Sequence, residues 1–203
     1  MSASDDPRRQ GHFEALYAAN DDPWRVREAW YERRKRAILL AALGKERYRS
    51  VFEPGCGNGD LSAALAQRCA RLLASDGAPS AVAAAQRRLA GVEDCAVRVE
   101  LRSLPSGWPR GERFDLVVVS ELAYYFDAAA WQHMLAQAAA NLDEDGELVM
   151  CHYLHDFDDR AAATAAVHGA AQATPGLRRF LHHRERDFLL EGWRRAGADG
   201  EAA

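Results

Sequence analysis

From Val51 to Asp60 the chain reads V-F-E-P-G-C-G-N-G-D, a short apolar run and a carboxylate followed by glycine at every second position. Gly55, Gly57 and Gly59 leave no Cβ between backbone and ligand, so the chain can turn tightly and present bare N–H groups to a bound cofactor. Behind them Leu61, Leu65 and Cys69 recur at helical spacing, which predicts a helix over Asp60–Ala70 and places the turn between a strand and a helix N-terminus. An anionic group at such an N-terminus gains roughly 0.3–1 kcal/mol from the dipole and the unpaired N–H groups. A second carboxylate, Asp76, closes the next apolar run, Arg71–Ser75. In a doubly wound sheet an acidic residue about 20 positions past the glycines reaches ribose hydroxyls, so Asp76 reads as a ligand of an adenosine-containing cofactor, compatible with capping a helix over Pro79–Ala90.

The other reactive side chains fall after two later apolar runs. Phe114–Val119 is nearly continuous in apolar residues, as a central, doubly covered strand is. Ser120, Glu121, Tyr124 and Tyr125 follow it, and His152 follows the strand Glu147–Cys151. Ligands in open α/β sheets lie beyond the carboxyl ends of the strands, so Glu121, Tyr125 and His152 are the catalytic candidates on the acceptor side. Glu121 has the alternative of fixing loop backbone and His152 that of a structural histidine. His182 and His183 read as surface or edge residues. No cluster has the spacing of a zinc site, and no metal is expected.

The elements that must position these groups alternate. Helices are predicted over Phe13–Ala19, Ala29–Leu43, Ala128–Leu142 and Ala161–Ala173, and strands over Arg49–Glu53, Arg71–Ser75, Ala96–Leu101, Phe114–Val119 and Glu147–Cys151. Two last runs, Phe180–Arg184 and Phe188–Trp193, read as a hairpin. The expected architecture is an α/β, Rossmann-like, mostly parallel seven-stranded sheet with a C-terminal antiparallel hairpin. A chain of 203 residues fits one domain, 1–203, with loose tails at 1–11 and 196–203.

Composition narrows the function classes. A net charge of −4 argues against general affinity for nucleic acid. The local cluster Arg25, Arg27, Arg33, Arg34, Lys35 and Arg36 reads as a solvated face or an anion-binding rim. The four cysteines form no C-x-x-C pair and suit a reducing, cytoplasmic setting. The longest aliphatic run, Ala37–Leu43, falls far short of the ~20 residues a membrane span needs, so no membrane partner is expected.

A nicotinamide or flavin fingerprint requires a third glycine where this chain has Asp60. The E-x-G-x-G-x-G spacing of Glu53–Gly59 instead resembles the first motif of class I S-adenosylmethionine-dependent methyltransferases. That resemblance implies S-adenosyl-L-methionine as cofactor, with the turn at Gly55, Cys56, Gly57 and Gly59 around its methionine end and Glu53 holding its amino group. Asp76 and Gly77 would take the ribose, and Ser103, Leu104 and Ser120 would complete the cofactor site. Such enzymes usually carry an aspartate where Ser103 stands, so adenine recognition departs from the family pattern. Asp22-Pro23-Trp24, Tyr31-Glu32, Lys35, Phe52–Cys56, Arg113–Asp115 and Glu121–Tyr125 together resemble the nodulation protein S family of nodulation-factor N-methyltransferases. This implies N-methylation of a small-molecule acceptor, an amino sugar or deacetylated chitooligosaccharide. The alternatives are another small metabolite or a non-catalytic cofactor-binding module. Trp24 and Tyr31 then read as an N-terminal lid on the cofactor or as helix packing, and Tyr124, Tyr125, Trp108 and Trp131 as sugar platforms or core.

Overall fold

The computed structural model describes residues 5–196, which form six α-helices and seven strands of sheet. The described residues divide into two compact units, one ending at Gly107 and the other beginning at Trp108.

The first unit runs α1 (Pro7–Ala19), α2 (Trp30–Ala42), β1 (Tyr48–Pro54), α3 (Asp60–Ala66), β2 (Cys69–Asp76), α4 (Pro79–Leu89) and β3 (Ala96–Leu101). Its strands are parallel, with Phe52 opposite Leu73 and Leu73 opposite Arg98. β1 and the carboxyl half of β2 are buried, which is why their apolar residues are continuous rather than alternating. α4 packs on β2 and β3 and buries Ala81, Val82, Ala84, Ala85 and Leu89. The stretch 7–11, expected to be a loose tail, is helical. The Asp6 side chain accepts from the Arg8 N–H at 2.9 Å and Pro7 occupies the first turn, both good helix-start chemistry. No residue of α1 is buried, so apolar periodicity gave no warning of its first turns. α3 stops four residues short of the expected Ala70, because Cys69 is already paired with Tyr48 in the sheet. All four cysteines are free thiols, with the sulfurs of Cys69 and Cys95 3.5 Å apart.

The second unit runs β4 (Phe114–Ser120), a 3₁₀ turn (Ala123–Tyr125), α5 (Ala128–Asn141), β5 (Leu142–Tyr153), α6 (Thr164–Gln172), β6 (Leu177–Arg184) and β7 (Phe188–Arg195). β4 pairs parallel with β5, and β7 pairs antiparallel with both β5 and β6, giving the expected terminal hairpin. β5 begins five residues earlier than expected. Asp145-Gly146 is a bulge inside the strand, with Asp145 at φ 57° and the β4–β5 register slipping between Phe114 and Leu116. A Cβ on Gly146 would stand 2.9 Å from the Asp143 carbonyl, so only glycine fits. The edge strand β6 starts at Leu177, three residues early, and shifts register between Arg179 and Leu181. Residues 1–4 and 197–203, including most of the expected C-terminal tail, lie outside the described residues.

Candidate active site

In the first unit the strand ends deliver two carboxylates to the glycine turn, Glu53 buried and Asp76 half-buried. Glu53, 3% exposed, accepts a 2.5 Å hydrogen bond from the Ser62 hydroxyl on α3. Burial pushes its carboxyl up to about 8, with the Ser62 hydrogen bond opposing and the Asp76 charge adding to the rise. Asp76 accepts from the Gly57 N–H and the Ala78 N–H, both at 2.9 Å. Burial raises its carboxyl as well, against the pull of the backbone N–H groups of Ala78, Gly57 and Gly77. Asp76 therefore orders the glycine turn and the approach to α4 but does not cap α4, whose N-cap is Ala78. Cys56 is buried and its thiol is pushed well up by burial, so it stays a neutral thiol beside the two carboxylates.

Gly57 and Gly59 have φ of 53° and 83°, a region costly for other residues. A Cβ on Gly59 would stand 3.0 Å from Ala85 on α4, so this glycine also lets α3 and α4 pack closely. A Cβ on Gly57 would run into the Tyr17 hydroxyl.

That contact introduces α1, whose part in the site the sequence reading missed. Glu14 accepts from the Ser80 N–H at 2.9 Å and the Ser80 hydroxyl at 2.6 Å, supplying α4 with the acceptor its own N-cap lacks. Arg9 donates to the Leu104 carbonyl at 3.1 Å. Trp24, 44% exposed, packs with Phe13 and Tyr17 at centroid distances of 6.2 and 5.6 Å. Asn58 of the glycine turn donates to the Asp21 carbonyl and the Asp22 carboxylate, and Asp22 accepts from the N–H groups of Val26 and Arg27. Trp24 is thus tied through its neighbours to the glycine turn, whereas Tyr31 packs under the Lys35 ammonium, 5.0 Å from its ring. Of the basic cluster, Arg27 pairs with Asp21 and Asp60, Lys35 with Glu32, and Arg25 with Glu28. Ser103 follows β3 half-buried and its carbonyl accepts from the Gly107 N–H at 2.6 Å.

In the second unit Glu121 sits at φ 52° directly after β4. Its Oε2 accepts from the Tyr153 N–H at 2.9 Å and from the Tyr124 hydroxyl. Tyr124 meets Tyr125, His152 and Phe157 edge-on at 4.9–5.1 Å, and the Arg160 guanidinium lies 5.9 Å from its ring centroid. Burial, with the carboxylates of Asp159 and Glu121, pushes the Tyr125 phenol up, so it remains a donor. A cavity of about 220 Å³ lies beside this group, lined by Asp156, Phe157, Arg160 and Ala161–Ala163. Phe157 and Arg160 were not anticipated, being in a stretch with no periodic signal. Trp108 and Trp131 are core residues and not sugar platforms. Both are buried, and their indole N–H groups donate to Asn141 and to the Val167 carbonyl.

His152 is fully buried. Its Nε2 accepts from the Ala123 N–H at 3.1 Å and its Nδ1 meets His168 Nε2 at 3.0 Å. His168 Nδ1 in turn donates to Glu191 Oε2 at 2.8 Å. Glu191 Oε1 accepts from His182 at 2.6 Å and Arg179 at 2.8 Å. His182 lies on the edge strand as expected, but it has a partner there. Burial opposes the ionisation of Glu191, yet the hydrogen bonds from His168 and His182 and the charge of Arg179 outweigh it and hold the carboxyl at about 2. This is below the unfolded value of about 4.3, so the carboxylate's contribution to stability is complete above that value and disappears as pH falls toward 2. An acid titration followed by circular dichroism should show wild type losing more stability than Glu191→Gln across that window; equal losses would remove Glu191 from the acid transition.

Comparisons with known proteins bear on these two clusters. The methyltransferase domain family matches residues 51–146. A Pseudomonas syringae protein, provisionally designated a methyltransferase, is 46% identical, with 82% of this chain and 100% of that chain covered and a TM-score of 0.70. The chain belongs to the class I S-adenosylmethionine-dependent methyltransferases. The N-methyltransferase NodS of Bradyrhizobium japonicum WM9, solved with S-adenosyl-L-homocysteine, is 25% identical, with 92% of this chain and 97% of that chain covered and a TM-score of 0.80. A Haloferax volcanii methyltransferase complexed with the activator Trm112 shares the fold at 18% identity, 97% and 100% coverage and a TM-score of 0.69. None of the curated protein sequences matches this chain. The cofactor of this methyltransferase is S-adenosyl-L-methionine. The first unit's chemistry fits it: a glycine turn whose position 57 has no room for a Cβ beside Tyr17, and a carboxylate at the end of each strand, Glu53 buried and Asp76 half-buried, for a ligand with an ammonium at one end and a ribose diol at the other. Among the described residues no helix is long and apolar enough to cross a membrane.

Proposed function

We propose that both units serve as one methyltransferase domain that methylates the nitrogen of a small amine, an amino sugar or deacetylated chitooligosaccharide foremost. The observation that carries this reading is the second unit's Glu121, a carboxylate bracketed by the Tyr124 hydroxyl and the Tyr153 N–H among the rings of Tyr124, Tyr125 and Phe157. A carboxylate among aromatic faces suits a polar ring carrying an amine. The likeness to the N-methyltransferase NodS supports transfer of the methyl group to nitrogen.

The cofactor, when bound, supplies an electrophilic methyl group on a sulfonium. Glu53 would pair with its ammonium, the Gly55–Gly59 backbone with Cys56 would line its methionine end, and Asp76 would take the ribose hydroxyls. Gly77, Ser103 and Leu104 would neighbour the adenosine, with Ser120 at the end of β4, and Trp24, tied through Tyr17 to the glycine turn, would exclude water. Alignment of acceptor and methyl group supplies roughly 7–11 kcal/mol of the barrier. An ammonium has no lone pair, so Glu121 holds the incoming amine and receives its proton, while Tyr125, protonated throughout, donates to the acceptor's oxygens.

Asp76→Ala removes an acceptor of charged-group hydrogen bonds worth about 1.5–3 kcal/mol, which is about a ten- to hundredfold loss of cofactor affinity. Unchanged affinity by calorimetry would detach Asp76 from the site. For the acceptor, a deacetylated chitooligosaccharide incubated with the enzyme and cofactor should gain one methyl group on nitrogen, its fully acetylated counterpart none, and the rate should rise with pH as the ammonium deprotonates. Methylation of both, or mass spectrometry placing the methyl on oxygen or carbon, overturns the amino-sugar reading and leaves the cofactor assignment standing.

A further inference from the structure

The second unit buries a polar chain that the chemistry above does not use. His152 on β5, His168 on α6 and Glu191 on β7 are 0, 2 and 4% exposed. Three such groups are costly to bury, and well-packed apolar residues of similar volume would hold these elements together at least as well.

The direction of the hydrogen bonds is not arbitrary. An amide N–H can only donate, so the Ala123 N–H requires His152 Nε2 to be bare. A neutral imidazole then carries its proton on Nδ1, which donates to His168 Nε2; that nitrogen must be bare as well, leaving the His168 proton on Nδ1 facing Glu191. Every link donates toward the same carboxylate. Reversing one tautomer reverses all of them and sets His152 Nε2–H against the Ala123 N–H. The turn that would absorb this conflict carries Glu121, at positive φ, and Tyr124, whose hydroxyl donates to Glu121 and whose carbonyl accepts from the Ala161 and Ala162 N–H groups at 2.8 and 2.9 Å. His152 also stacks edge-on against the Tyr124 ring at 5.1 Å.

We infer that His152, His168 and Glu191 are positioning residues, a tautomer relay through which a carboxylate on β7 fixes the Glu121–Tyr125 turn for methyl transfer. Both ring nitrogens of His152 are engaged within the protein, so it acts through the turn and not as a group that meets the acceptor. The functional half of this inference rests on the proposed acceptor role of Glu121; the relay itself does not.

The test uses Glu191→Gln, which keeps the shape but offers an amide to His168, His182 and Arg179, and Glu191→Asp, which restores the carboxylate one methylene short. Two-bond nitrogen–proton spectra of the histidine-labelled protein should show His152 Nε2 unprotonated in wild type and Glu191→Asp. In Glu191→Gln a protonated Nε2 population and a shifted Ala123 amide signal are expected. With deacetylated chitooligosaccharide as probe, Glu191→Gln should lower kcat about ten- to hundredfold, the scale of a sub-ångström to ångström misplacement, without altering S-adenosyl-L-homocysteine affinity. In a His152→Gln background, where no tautomer can pass, adding Glu191→Gln should lower kcat no further. A purely structural tie would instead lower the melting temperature with tautomer and kcat intact, and that result overturns the relay. The spectra need no acceptor, so failure of wild type to methylate the probe would count against the amino-sugar reading alone, with the relay decided by the His152 signals.

Discussion

Gly57→Val should abolish S-adenosyl-L-methionine binding while leaving the protein folded. Two costs coincide at this position. The backbone is at φ 53°, where a side chain costs roughly 1–2 kcal/mol and a β-branched one more. The new Cβ would also collide with the Tyr17 hydroxyl, forcing either α1 or the turn to move. Moving the turn breaks the 2.9 Å bond from the Gly57 N–H to Asp76, and with it the order of the backbone that is to meet the cofactor. A loss of affinity of at least about a hundredfold, roughly 2.7 kcal/mol, is expected by titration calorimetry. Tyr17→Phe separates the two costs, since it removes the hydroxyl but not the torsional strain; a Gly57→Val protein that regained full affinity in that background would show the collision to be the whole effect. Unaltered binding in Gly57→Val itself would show that the glycine turn is not the cofactor's seat.

Cofactor affinity should rise steeply between pH 6 and 8 and be accompanied by proton release. Glu53 is neutral up to about 8 because burial penalises its charge, yet an ammonium partner requires the carboxylate. Binding must then expel the proton, and below that value affinity should climb by about tenfold per pH unit. The same group acts on folding with the opposite sense from Glu191. Its folded value lies above the unfolded one, so the stability it contributes is complete below about 4.3 and is lost as pH rises toward 8. Calorimetry in buffers of different ionisation enthalpy, at pH 6.5, should register close to one proton released per cofactor bound, and none in Glu53→Gln, which should bind weakly and with a flat pH dependence. Wild type without proton release would mean that Glu53 does not face the ammonium.

Much of the fold was legible because the strands carry their burial in their composition. Phe114–Val119 reads as central and is buried along its length, and Ala96–Leu101 is a strand with the expected bounds. The cofactor turn was legible because glycine at alternate positions has few other uses. What escaped the sequence depends on partners far along the chain. α1 has no buried face, and its role appears only when Tyr17 meets Gly57 and Glu14 meets Ser80. The bulge at Asp145 hides behind residues that usually make a turn, because a slip in register is decided by the neighbouring strand. His168 and Glu191 lie 23 residues apart in an alanine-rich stretch and a strand, with no local pattern to join them.

The edge strand β6 has a consequence for how this protein behaves in crowded solution. Its length bears Arg178, Arg179, His182, His183 and Arg184, with Arg179 and His182 already bound to Glu191 on β7. A second copy approaching to extend the sheet at this edge would align like charges across the new ladder, and the register shift at Phe180 would interrupt its hydrogen bonding. The strand that anchors the buried carboxylate therefore also disfavours pairing at this edge of the sheet, using arginines where other proteins use a proline or a covering loop.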